Sequence, residues 1–224
     1  MAVAPARAAL HIPRSGAYPQ EMTTGLDAAK ALAAEADPAE AARRCGIGFT
    51  GGEDAHFALP LLGRPVRIGH PGFEAVFSDD GRSVPGHVAA VLLRHIAVSD
   101  GTPPTGRWVS FAELPEGRFY VSAWRGYTGT ALVRHFGERA EDLRSAAASL
   151  GARPLDLPGE VVLLLPALPR MPLALTFWSA DDEFEARADI LYDASASHHL
   201  PIDGCALLGA IATHALMAAD PGEG

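Results

Sequence analysis

The chain has 224 residues, of which 48% are hydrophobic and 20% charged, a usage that excludes a fibrous or disordered protein. The length suits one domain able to bury about 70% of its unfolded surface, so its core needs no disulfide or metal staples. The formal net charge of −9 excludes broad contact with nucleic-acid backbones, and the 18 basic residues are 17 Arg and a single Lys, Lys30.

Residues 1–24 are rich in Ala, Pro, Gly and Thr without a clean period and are expected to form a flexible tail. Met1 to Pro19 holds no apolar run long enough for a secretory signal. From Leu26 to Glu35 the spacing of Ala and Leu predicts a helix. Asp37-Pro38-Ala39-Glu40 starts a second one, with Asp37 as cap, Pro38 as first helical residue and Glu40 at the capping-box position. Gly46 ends it. Ile47–Thr50, Ala55–Leu59, Val66–Ile68 and Phe73–Phe77 are short strand-like segments separated by Gly and Pro turns, which predicts an antiparallel meander.

Pro85 to Val98 switches to a helical period, with Val88, Val91, Leu92, His95 and Ile96 on one face. A Pro- and Gly-rich loop over 100–106 leads through Trp108–Phe111 into two further helices, Phe119–Phe136 and Glu138–Leu150. Val161–Leu165, Pro172–Trp178 and Ala186–Tyr192 read as strands, the last two joined by the acidic turn at Asp181-Asp182-Glu183. Ile202 to Met217 closes the chain as a helix with Leu207, Leu208, Ile211 and Leu216 on one face. Strands and helices are segregated, so the expected fold is α+β. It has an antiparallel sheet, made of the N-terminal meander plus the C-terminal hairpin strands, packed with helices in a single domain over 25–220.

Asp100-Gly101-Thr102-Pro103-Pro104-Thr105-Gly106-Arg107-Trp108 through Pro115, Leu168-Pro169-Arg170, Phe177 to Phe184, and Ile190 to Pro201 form a distinctive set. Together, over roughly residues 38–217, they resemble a prokaryotic domain-of-unknown-function family of about two hundred residues. Some of its members carry a putative iron–sulfur domain in front. This chain has no cysteine ahead of Cys45 and lacks that part, so no iron–sulfur cluster is expected. The resemblance implies no activity.

Four groups of residues are candidates for chemistry. The first is the turn Asp193-Ala194-Ser195-Ala196-Ser197-His198-His199, where a strand end supplies a carboxylate and two imidazoles. Asp193, His198 and His199 are the catalytic candidates and equally the metal-ligand candidates, against the plainer reading that Asp193 and Ser195 cap the turn. The second is the acidic tip Asp181, Asp182, Glu183 and Glu185, read as a solvated turn before a cation site. The third is the Arg and aromatic stretch: Arg107, Trp108, Arg118, Tyr120, Trp124, Arg125, Tyr127 and Arg134. Of these, Arg107, Trp108, Tyr120, Trp124, Arg125 and Arg134 are the ligand-binding candidates, since a guanidinium fork beside stacked rings suits a flat anion.

The fourth group is His87, His95 and His135, read as satisfied structural histidines, with a tetrapyrrole axial ligand as the sharper alternative. Cys45 and Cys205 read as small buried hydrophobes, although Arg43 and Arg44 beside Cys45 favour a lowered thiol pKa. The dinucleotide-binding glycine fingerprint, the P-loop and the nucleophile elbow are all missing from the sequence.

These signals favour a cytoplasmic module that binds a small anionic or metal-containing ligand, with divalent metal and tetrapyrrole as the cofactor candidates. A metal-assisted or acid–base enzyme on the Asp193/His198/His199 turn is one alternative. A non-catalytic subunit or scaffold, acting through a protein partner or self-association, is the other. Membrane contact is not expected, because the longest apolar run, Val161–Leu168, is interrupted by Pro166 and is far short of the ~20 residues a span needs.

Overall fold

A computed structural model describes residues 25–223, and the tail expected over 1–24 lies outside them. Helices α1 (Leu26–Ala34) and α2 (Pro38–Cys45) come first. Asp37 caps α2 from an extended backbone, accepting the Glu40 N–H at 2.8 Å. The capping box does not close, because the Glu40 carboxylate turns outward to Arg43 at 2.6 Å. Gly46 ends the helix in the left-handed region at φ 69°, where a side chain would be strained.

Strands β1 (Gly48–Thr50), β2 (His56–Leu61), β3 (Arg64–Gly69) and β4 (Ala75–Phe77) form an antiparallel meander in chain order. Along β2, Phe57, Leu59 and Leu61 face the core and alternate with exposed Ala58 and Pro60, the period-2 pattern of a half-buried strand.

The C-terminal strands build a sheet of their own. β5 (Trp108–Val109), β6 (Arg153–Pro154), β7 (Val161–Leu168), β8 (Met171–Trp178) and β9 (Arg187–Asp193) pair in the order β5-β9-β8-β7-β6, all antiparallel. The single sheet expected from sequence is therefore two. They meet where the Leu62 N–H, in the β2–β3 turn, donates to the Ala167 carbonyl at 3.1 Å. That carbonyl is free because β7 and β8 slip register between Leu165 and Leu168.

Helix α3 (Gly86–Val98) and the closing helix α7 (Ile202–Ala218) run through the interior. Every residue of α7 from Gly204 to Leu216 is buried, and α3 is buried from His87 to Leu93 and again at His95 and Ile96. Neither has the solvated face that the sequence pattern predicts. α3 is covered by α1, α2 and α7, and α7 by α3 and the three helices that follow β5, so both behave as core helices.

Those three helices are α4 (Gly117–Tyr127), α5 (Gly129–Phe136) and α6 (Ala140–Ser149). The continuous helix expected over 119–136 breaks at Thr128, at φ −120° and ψ −97°. The cause is tertiary: Gly129 lies so close to β9 that a Cβ there would collide with the Ala188 carbonyl oxygen. Gly129→Ala is expected to lower the unfolding free energy by about 1–3 kcal/mol, as overpacking does. Urea unfolding of the variant checks this, and an unchanged midpoint would refute the close approach.

Candidate functional site

Asp193 ends β9 and is 1% exposed. One oxygen accepts the N–H groups of Thr105 and Ser195, both at 2.9 Å, and their hydroxyls at 3.0 and 2.7 Å. The other accepts the Gly106 N–H at 2.6 Å. Burial works to raise this carboxyl, but the donors from Thr105, Ser195 and Gly106 outweigh it and hold the group below the usual carboxylate range. Asp193 thus fastens the 100–106 loop to the end of the second sheet, as a turn cap does.

His198 and His199 face different ways. His198 is exposed, with Nδ1 2.7 Å from an Asp100 oxygen and 3.3 Å from the Thr102 hydroxyl. Hydrogen bonds from Thr102 and His198 hold the Asp100 carboxyl well below its ordinary value. His199 points inward, fully buried, with Nδ1 2.8 Å from the Ser99 hydroxyl. The three residues proposed as metal ligands are therefore not brought together. Among the described residues no group of three His, Cys, Asp or Glu side chains is placed to hold a metal ion.

Beneath this turn lies a centre that no motif announced. The ring of His95, from the last full turn of α3, sits 5.8 Å from the His199 ring, and both residues are completely buried. Neither nitrogen of His95 makes a hydrogen bond of good geometry, nor does Nε2 of His199, although the His199 backbone lies close enough to favour a protonated His95 and the Thr102 backbone does the same for His199. His95 is thus a buried histidine whose ring lies beside that of His199. Burial, the neighbouring His199 ring and the charge of Arg170 together push His95 down to about 4, so it is neutral at physiological pH. Burial lowers His199 as well.

Cys45 closes one side, its thiol donating to the His95 carbonyl at 3.3 Å. Burial pushes the thiol up to about 11, against the lowering influence of Ser99, Arg44 and Arg170. The lowered pKa expected from its two arginine neighbours is reversed, because Arg43 is turned away to Glu40 and desolvation dominates.

Two guanidinium groups complete the centre. Arg44 comes from the last turn of α2, and Arg170 from the turn between β7 and β8. Their Nε atoms are buried without an acceptor, and neither arginine has a carboxylate within ion-pair distance among the described residues. Two glycines lie alongside these arginines at ordinary contact distance. A Cβ on Gly46 would stand 3.4 Å from the Arg170 Nε, and one on Gly101 would stand 3.5 Å from the Arg44 Cα. Sequence reasoning missed this set because its members come from four separate segments, at 44–45, 95, 170 and 199. The one available signal was an imidazole on the apolar face of α3, near its C-terminal end.

The Arg and aromatic stretch is dispersed. Trp124 is in the core, stacked on Phe111 with centroids 4.7 Å apart and planes 6° apart, and it also touches the buried Tyr192. Tyr120, four residues earlier on α4, is 56% exposed, so the two rings do not line one ligand surface. Arg125 and Arg134 lie exposed on α4 and α5. Arg107 is exposed too and lines an open cleft of about 600 Å³ with Glu113, Glu116, Arg118 and Phe119. Trp108, half-buried, lines a separate cavity of about 420 Å³ with Arg153 and several prolines.

The remaining candidates are structural. Asp181 caps its own turn, accepting the N–H groups of Glu183 at 2.9 Å and Phe184 at 2.7 Å. His135 meets the buried carboxylate of Asp220 at 2.9 Å, which also receives Arg139 at 2.8 Å and pins the chain's last described turn to α5 and α6. His87 is buried beside His214.

No helix among the described residues is long and apolar enough to cross a membrane. Comparisons with curated proteins and with solved structures find no match. The sequence over residues 37–215 does match a family, described as a domain of unknown function (DUF3786). That span holds the whole His95–His199 centre and both sheets, and the chain belongs to this DUF3786 family.

Proposed function

We propose that the domain binds a small anion at Arg44 and Arg170, over the buried His95–His199 pair. One observation carries the reading: two guanidinium groups with buried, unaccepted Nε–H donors, in a protein whose other paired arginines find carboxylates. A buried donor left unpaired costs about 1–3 kcal/mol, and more when charged, so a native site of this kind calls for an acceptor. An oxyanion supplies several lone pairs at once and suits the planar guanidinium fork. Net charge is −9, so attraction of an anion depends on this local cluster and not on the overall field.

The cleft at Arg107 and Arg118 is a weaker candidate. Both of its arginines already act on the Glu113 carboxylate, and Glu116 adds a second negative charge.

Thermal unfolding in the presence of inorganic phosphate, sulfate and citrate tests the proposal. Saturation to 100 times Kd is expected to stabilise the protein by ~2.7 kcal/mol. The double substitution Arg44→Gln/Arg170→Gln is expected to abolish that gain while leaving a cooperative transition. Equal stabilisation of the double variant, or none of the wild type, refutes the reading.

A further inference from the structure

We infer that the cavity walled by Trp108, Arg153 and five prolines takes a small aromatic carboxylate, its ring against Trp108 and its carboxylate on Arg153. This site is separate from the anion centre at Arg44 and Arg170 and does not depend on it.

The cavity lies on the face of the second sheet turned away from the core, where the first sheet and the 100–106 loop adjoin it. Its volume of about 420 Å³ is in the range of small-molecule sites, and its walls are mostly apolar, as such sites are. Leu164 and Pro166 of β7 and Pro172 of β8 form the floor. Along β7 the first two alternate with the buried Leu163 and Leu165, so they point to the opposite face. Central strands rarely admit proline, but β7 and β8 slip register between Leu165 and Leu168, and Pro166 and Pro172 sit at that slip. Pro60 of β2 and Pro104 of the loop complete the wall. Proline carries no N–H, so these positions are stiff and present no backbone donor.

Two groups stand out against that lining. The protein has three tryptophans, and two have partners: Trp124 stacks on Phe111, and Trp178 lies beneath the Arg187 guanidinium at 4.0 Å. The half-buried Trp108 has neither ring nor cation against it among the described residues. Arg153 likewise has no carboxylate within ion-pair distance among the described residues.

Trp108 is on β5 and Arg153 on β6, the two edges of the sheet. Four strand spacings put their backbones roughly 19 Å apart, yet both line the same cavity. A ring and a cation thus meet one apolar space from opposite ends. The second charge on the wall sets the direction of the ligand. Asp193 pairs with Trp108 in register, and its carboxylate accepts from Thr105, Ser195 and Gly106. It repels an anionic group at the Trp108 end, so a ligand carboxylate goes to Arg153 and its ring to Trp108. A guanidinium fork suits a carboxylate, and an aromatic ring gains offset stacking on an indole. An aliphatic acid forgoes the stacking, and a neutral aromatic forgoes the ion pair.

Titration calorimetry of the full chain with phenylacetate, phenylacetamide and cyclohexylacetate, at pH 7.5 and constant ionic strength, tests the site. Phenylacetate is expected to bind at least about threefold more tightly than either of the others, a modest factor because Arg153 is exposed. Arg153→Gln is expected to bring phenylacetate to the affinity of phenylacetamide. Trp108→Leu is expected to bring it to that of cyclohexylacetate. Arg44→Gln/Arg170→Gln is expected to change none of the three. If Trp108→Leu does not fold, proton–nitrogen NMR of the wild type replaces it. The Trp108 indole N–H signal is expected to shift with phenylacetate while that of Trp124 stays in place.

Equal affinities for all three probes, or no binding of any, overturn the inference. Phenylacetate binding that survives Arg153→Gln and disappears in Arg44→Gln/Arg170→Gln overturns it too, and moves the carboxylate to the anion centre.

Discussion

Replacing Asp193 with Ala is expected to lower the unfolding free energy by at least about 1.5–3 kcal/mol, the worth of one hydrogen bond to a charged acceptor, of which it makes several. Against a total of about 5–15 kcal/mol for an ordinary domain, that is a large share. The side chain is 1% exposed and holds three backbone N–H groups and two hydroxyls, of which those of Ser195 are buried. Without it the 100–106 loop loses its tether to β9 at Thr105 and Gly106. Urea unfolding and proteolysis of that loop measure the effect. A variant of wild-type stability would refute the structural role and return Asp193 to the catalytic candidates. The pH sense follows from its depressed carboxyl. Its contribution is complete above the unfolded carboxylate value and is lost as pH falls through the folded one.

The second large effect is acid sensitivity at a milder pH. His87, His95, His199 and His214 all have folded values lowered chiefly by burial. For each, the unfolded chain takes up a proton at a higher pH than the folded one. Their contribution is therefore complete above about pH 6.5 and declines as pH falls below it. For His95 alone, moving from 6.5 to about 4 corresponds to ~3 kcal/mol over that interval. Chemical unfolding between pH 7.5 and pH 4.5 is expected to show a steady loss of stability, starting well before the carboxylates titrate. His95→Phe is expected to flatten part of that slope. A stability curve level across the interval would mean that these rings are solvated.

How far the sequence carried the fold can be judged element by element. The caps and turns were legible because they depend on nearest neighbours: Asp37, Pro38 and Gly46 bound α2 as expected, and Asp181 makes the β8–β9 turn. The helices were legible in position but not in environment. A run of apolar residues at helical spacing does not tell how many sides are covered, and α3 and α7 are covered on all of them. The break at Thr128 was illegible because its cause, the carbonyl of Ala188, is far away in the chain.

The candidate site divides the same way. Asp193 and Ser195 were legible as a turn cap, and they are one. His199 was noticed for its neighbour His198, yet its spatial companions are His95 and Ser99. Arg44 was noticed only as a neighbour of Cys45, and Arg170 only within a stretch that carries the family resemblance. Their significance is the lack of a partner, and that cannot be read from spacing.

Helix α1 bears on where this domain can be cut. The family match begins at residue 37, after α1 has ended. Yet Ala29 and Ala33 of α1 are buried, Leu26 lies against Gly86 at the start of α3, and Lys30 donates to the Gly72 carbonyl at 3.0 Å. The stretch that the family match covers is thus smaller than the stretch that packs together. A fragment trimmed to the shared boundary would turn one side of the central helix α3, the helix that carries His95, out to water. The matched span and the packed unit do not coincide here, and any dissection of the His95–His199 centre has to retain the chain from residue 25 onward.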